Sequence, residues 1–205
     1  MSLQYGDQGF INPINKIKGI FNMGAIFTSL GRTVSAGIVL LVLIVIIAGA
    51  ATGQMTRFDH AWGAFFMRWL HVLSGVMWIG LLWYLNFVQV PTMPKIQPVE
   101  SRTAITKFIA PNVLWWFRYA ALATVITGLL LAWMNGYIVQ ALTLRPGFIM
   151  IGTGMWMALI MAFNVWFIIW PAQQKILGLV DATAEEKAAA APKALYASRF
   201  NTMFS

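Results

Sequence analysis

Apolar residues along this chain fall in long unbroken runs, not in the one-sided stripes of soluble helices or the alternation of half-buried strands. Val34 to Gly53 carries no charge. Trp69 to Val90 is interrupted only by His71, Asn86 and Gln89. Tyr119 to Tyr137 follows Arg118, and Phe148 to Trp170 holds Asn164 as its one strongly polar residue. Each run is close to the ~20 residues that cross ~30 Å of hydrocarbon. The pattern predicts an all-α fold: an integral membrane four-helix bundle with spans at 34–53, 69–90, 119–137 and 148–170.

The flanking segments predict a simple organisation. Residues 1–33 read as a tail followed by an amphipathic interfacial helix, because "PINKIKGIFNMGAIFTSL" gathers Ile14, Ile17, Ile20 and Phe21 on one side and keeps Lys16 and Lys18 largely off it. "MTRFDHAWGAFFMRW" carries aromatics suited to an interface, and reads either as a linker or as an outward extension of the second span. Pro91, Pro94, Pro98 and Pro111 predict that the second helix ends sharply and that an extended loop follows. "NGYIVQALTLRPG" reads as a short outer connection. Residues 34–171 make the membrane domain, and 172–205 a cytoplasmic segment with a soluble helix over Asp181 to Ala191.

Composition agrees and adds orientation. Apolar residues make up 60% of the chain and charged residues 10%, against roughly 45–50% and about 25% in soluble domains. The net charge of +8 would suit a nucleic-acid partner if it were clustered on a soluble face. Instead, ten Lys and Arg lie before the first span, between the second and third, and after the fourth, while the opposite loops hold only Arg57 and Arg145. That asymmetry predicts both termini in the cytoplasm of a bacterial inner membrane, and no nucleic-acid role. No stretch reads as a cleavable signal peptide. Cysteine is absent, which removes thiolate metal sites and covalent haem attachment.

The chemistry narrows to a few polar residues inside the spans. Arg68, His71, Gly75, Trp78 and Leu82 share one helical face. An imidazole with glycine one turn below it suits a haem iron, with the glycine admitting a macrocycle or another helix, and Arg68 suits a propionate. The other reading of His71 is a structural hydrogen bond to a neighbouring helix, with Arg68 reaching the headgroups; a quinone hydrogen bond is a third. The second histidine, His60, is eleven residues away, about 16 Å along a helix, so the two cannot ligate one iron within one copy. A methionine, a partner residue or an open position would complete the coordination. Arg118 suits the cytoplasmic interface, an acidic lipid or a cofactor carboxylate, and Asn164 suits an interhelical hydrogen bond. No Asp or Glu lies in any span, and no Ser-His-Asp set, carboxylate pair or phosphate-binding glycine loop is visible, so self-contained catalysis, proton pumping and proton-coupled transport are disfavoured.

"RWLHVLSGVMWIGLLWYLNF" (68–87) and "NVWFIIWPAQQKI" (164–176) resemble segments of the membrane domain of PuuD-type bacterial urate oxidases. The first also resembles the His-bearing helix of CopD-like and HemJ-type membrane proteins. The resemblance covers Met67 to Lys175, about half of the chain. It implies a helical membrane domain with His71 as a haem b ligand, urate or purine oxidation, and electron transfer to a cytochrome c. The chain departs from that family in lacking a cytochrome domain and in its shorter membrane region. Arg118 also stands where HemJ-type proteins are expected to carry a lysine. "ASRFNTMFS" resembles the lead-in to a further apolar helix in the PuuD family. Together these features predict an accessory or assembly subunit of a respiratory or photosynthetic electron-transfer complex, with haem b at His71. A membrane oxidoreductase using external cytochrome c and a cofactor-free structural subunit are the alternatives.

Overall fold

The computed structural model describes residues 24–53 and 57–205, and the predicted amphipathic helix lies almost wholly outside them. The chain is all-α, with four helices long and apolar enough to cross a membrane, and is a multi-pass membrane protein. It divides into two units, one ending at Arg57 and the other beginning at Phe58.

In the first unit, one helical turn at Gly24–Phe27 precedes α1, Leu30–Thr52. α1 has the most apolar stretch of the four long helices, and it stops at Gly53, whose φ of 67° favours a residue without a Cβ.

The second unit is built from α2 (His60–Lys95), α3 (Ser101–Met134), the short α4 (Ile138–Leu142), α5 (Ile149–Ile176) and α6 (Ala184–Phe204). Asp59 caps α2 by accepting from the Trp62 backbone N–H at 2.9 Å. The core is formed by Trp78 and Leu82 from α2, Leu114 and Phe117 from α3, and Met161, Val165 and Ile169 from α5. Tryptophans mark two levels along the bundle: Trp62, Trp69 and Trp133 towards the His60 end, and Trp83, Trp115, Trp116, Trp166 and Trp170 towards the Lys95 end. Trp116 and Trp133 are separated by about 26 Å along α3, close to the hydrocarbon thickness.

The helices outrun the spans expected from the sequence. α2 starts at His60, making the aromatic segment part of the helix, and passes through Pro91 and Pro94 to Lys95; α3 begins at Ser101. The extended proline loop is therefore corrected to a connection of five residues, 96–100. The reason is a local widening of the helix. α2, α3 and α5 each contain a π-helical stretch, at Tyr84–Gln89, Ile105–Ile109 and Asn164–Ile169. At each, the residue just before a proline donates its N–H to the carbonyl five back: Val90 to Leu85, Ala110 to Ile105, Trp170 to Val165. Pro91, Pro111 and Pro171 follow directly. The wider turn gives the proline ring room that a regular α-turn would deny it.

α6 is longer than the helix expected over Asp181 to Ala191 and packs against α5. A capping box starts it: the Thr183 hydroxyl accepts from the Glu186 N–H, and the Glu186 carboxylate accepts from the Thr183 N–H. Ala190, Ala194, Ala197 and Asn201 then form a stripe of small residues that lets α6 close onto α5. Its low hydropathy hides this face from a span-counting argument.

Candidate functional site

The shared face of α2 divides by depth. Trp78 and Leu82 are buried in the core, His71 is half-buried two turns from Trp78 and three from Leu82 towards the His60 end, and Arg68 is exposed. The imidazole turns towards α3, where Nδ1 lies 2.9 Å from the Thr124 carbonyl oxygen and 3.2 Å from the Thr127 hydroxyl. A carbonyl oxygen only accepts, so Nδ1 carries the proton. The Thr127 hydroxyl spends its own hydrogen on the Ala123 carbonyl at 2.6 Å, and so also accepts from the ring. Nε2 is left with its lone pair and no hydrogen-bond partner among the described residues.

Gly128 makes this approach possible. A Cβ there would lie 2.8 Å from His71 Cε1, inside any tolerable contact. Thr124, Thr127 and Gly128, at i, i+3 and i+4, form a notch on α3 shaped for the ring. Of the two parts expected of Gly75, admitting a macrocycle or another helix, the packing matches the second. A Cβ there would meet only the Thr124 methyl at 3.9 Å, so Gly75 sits against α3 and does not line the space beside the imidazole.

That space is a cavity of about 330 Å³ between α2, α3 and α5. Arg68 and His71 border it from α2, Gly128 from α3, Tyr137 from the connection after α3, and Gly154 and Met155 from α5. Most of the lining is apolar, so the imidazole and the guanidinium are its main polar handles.

The remaining sequence candidates lie elsewhere. His60 spends its Nε2 on the Met134 carbonyl at 2.9 Å, outside the cavity. Arg118 is ten residues from Gly128, about 15 Å along α3. Its guanidinium carbon lies 3.3 Å from the Trp170 ring centroid and 5.4 Å from that of Trp166, while Nε donates to the Leu114 carbonyl at 3.2 Å. This is a cation–π stack at the Lys95-end tryptophan level. Asn164 donates to Asn201 Oδ1 at 2.9 Å, and Asn201 donates to the Met161 carbonyl at 3.0 Å, so Asn164 ties α5 to α6.

The structure thus brings Arg68 and His71 together and sets Gly75, Arg118 and Asn164 apart from them. Sequence reasoning did not single out Tyr137 or Met155. The signal within reach was the threonine–glycine notch on α3, which matches a histidine better than it matches a lipid. Among the described residues no three His, Cys, Asp or Glu side chains come together, so a non-haem metal site has no donor set there.

No family model, curated protein or solved structure matches the chain.

Proposed function

We propose that this protein is a membrane-embedded accessory subunit of a larger electron-transfer assembly, respiratory or photosynthetic, and that the cavity at His71 receives the edge of a b-type haem. The observation that carries this reading is the contact between His71 Nδ1 and the Thr124 carbonyl oxygen. Metal-ligating histidines characteristically donate the far ring N–H to a backbone carbonyl or carboxylate, which orients the ring and raises the basicity of the other nitrogen. His71 has that arrangement at Nδ1, and its side chain borders the cavity.

The rest of the lining is compatible. Arg68 offers a guanidinium to a propionate, and Met155 brings a thioether to the same cavity from α5. Haem, when bound, would supply one-electron chemistry, and this chain would orient it and shield it from water. A cavity of about 330 Å³ is near the lower end of ligand pockets. A porphyrin with its substituents exceeds it, so the remainder would lie against lipid or a neighbouring subunit. This favours a part of an assembly over a self-sufficient enzyme.

The positive-inside asymmetry supports a bacterial inner membrane with both termini cytoplasmic. A PuuD-type oxidoreductase delivering electrons to an external cytochrome c is the second reading. It is favoured by the packing of its two similar segments together, Leu82 of α2 and Val165 of α5 being buried in one core. Purification of the tagged chain from its own membranes in mild detergent tests the choice. Co-migration with other redox subunits on a native gel supports the accessory role. A lone chain that reduces cytochrome c on addition of urate supports the enzyme, and a lone colourless chain contradicts both.

A further inference from the structure

A second cavity, of about 280 Å³, lies near the Lys95 end between α2, α3, α5 and α6. Its chemistry differs from that at His71. No charged side chain borders it; its polar side chains are Asn86, Gln89, Thr106, Gln173 and Ser198, set among apolar ones such as Phe117 and Ile169.

Two side-chain acceptors there have no donor among the described residues. Of the three buried side-chain polar atoms without a partner among the described residues, Trp78 Nε1, Trp166 Nε1 and Gln89 Oε1, only the last belongs to a residue on either cavity. Asn86 is held in one orientation, because its Nδ2 donates to the Leu82 carbonyl at 3.0 Å and to the Ser198 hydroxyl at 2.8 Å. Its Oδ1 is the uncommitted atom. The π-helical stretches of α2 and α3 end against Pro91 and Pro111, which have no N–H to offer the carbonyls five residues back. Residues of all three π-helical stretches border this one cavity: Asn86 and Gln89, Thr106, and Ile169. A buried acceptor is costly to leave unpaired, and π-helical stretches are frequent at functional sites.

We infer that this cavity is a binding site for an uncharged hydrogen-bond donor with an apolar ring body, a hydroquinone head group. The absence of charged lining selects a neutral ligand. The surplus of acceptors selects one that brings its own O–H groups. Ser198, whose oxygen already accepts from Asn86, retains a hydrogen to give back to a phenolic oxygen. The ring would rest on the apolar lining, and the tail would leave at the level of Trp83 and Trp170, where amphiphile head groups reside. The site is independent of His71, since Asn86 is fifteen residues further along α2, roughly 22 Å away.

The test uses the full chain in detergent and a short-tailed ubiquinol kept reduced under anaerobic conditions, with affinity measured by calorimetry. Wild-type protein is expected to bind it. Gln89→Leu is expected to weaken binding at least tenfold while leaving the thermal midpoint equal or higher, because an orphaned polar atom has been removed. Ala191→Leu, which narrows the cavity and keeps every polar group, is expected to weaken binding at least fivefold. His71→Ala is expected to bind as tightly as wild type, which separates this site from the haem proposal. Failure of wild type to bind, or binding unchanged in Gln89→Leu, overturns the inference and leaves a water-filled packing gap.

Discussion

Gly128 and His71 are matched: the ring of His71 occupies the space that any Cβ at position 128 would need, with 2.8 Å between that Cβ and Cε1. The contact cannot relax cheaply, because the same ring is held to α3 by the Thr124 carbonyl.

Gly128→Ala is therefore expected to displace the imidazole and destabilise the bundle by about 1–3 kcal/mol, the usual cost of overpacking. The cost should fall towards zero in a His71→Ala background, where the ring is gone. A double-mutant cycle of thermal unfolding in detergent measures this coupling. An undiminished cost in that background would show that Gly128 serves something other than His71.

The buried Asn164–Asn201 pair gives a second expectation. Asn201→Leu leaves the buried Asn164 amide without its partner and is expected to cost about 1–3 kcal/mol. Asn164→Leu combined with Asn201→Leu removes both side chains of the bond and should recover part of that loss. The readout is the unfolding midpoint together with protease sensitivity of α6, which should rise in the single variant first.

How much of this was legible in the sequence follows from what each feature depends on. The spans around Val34–Gly53 and Phe148–Trp170 were readable because hydrocarbon crossing requires only length and apolarity. The prolines misled, since Pro91 and Pro111 read as helix terminators unless the π-helical turn before each is known. α6 was underestimated because its docking face is made of alanines and one asparagine, which contribute fit and not hydropathy. Within the candidate site, the Arg68–His71 pairing was readable from helical phase. The Thr124 contact and the cavity share of Met155 were not, because phase along one helix does not identify the neighbour across from it.

The start of α6 predicts a pH response. The Glu186 carboxylate is held below the usual range by its bond to the Thr183 backbone N–H and by Lys175, 3.1 Å away. Its contribution is complete above the unfolded pKa of about 4.3 and is lost as pH falls through the lower folded value. Between about pH 5 and pH 3, docking of α6 is thus expected to weaken more in wild type than in Glu186→Gln, which keeps a capping side chain but cannot titrate. Protease cleavage near Ala184–Ala191, followed against pH, checks the difference.

The measurement that bears most directly on the central claim is a reduced-minus-oxidised absorption spectrum of the protein purified from its own membranes, taken for wild type and His71→Ala. The account predicts a b-type α-band in wild type that disappears in His71→Ala while the helical content stays the same. A band that survives the substitution, or wild-type protein with no band even inside its intact assembly, would contradict it.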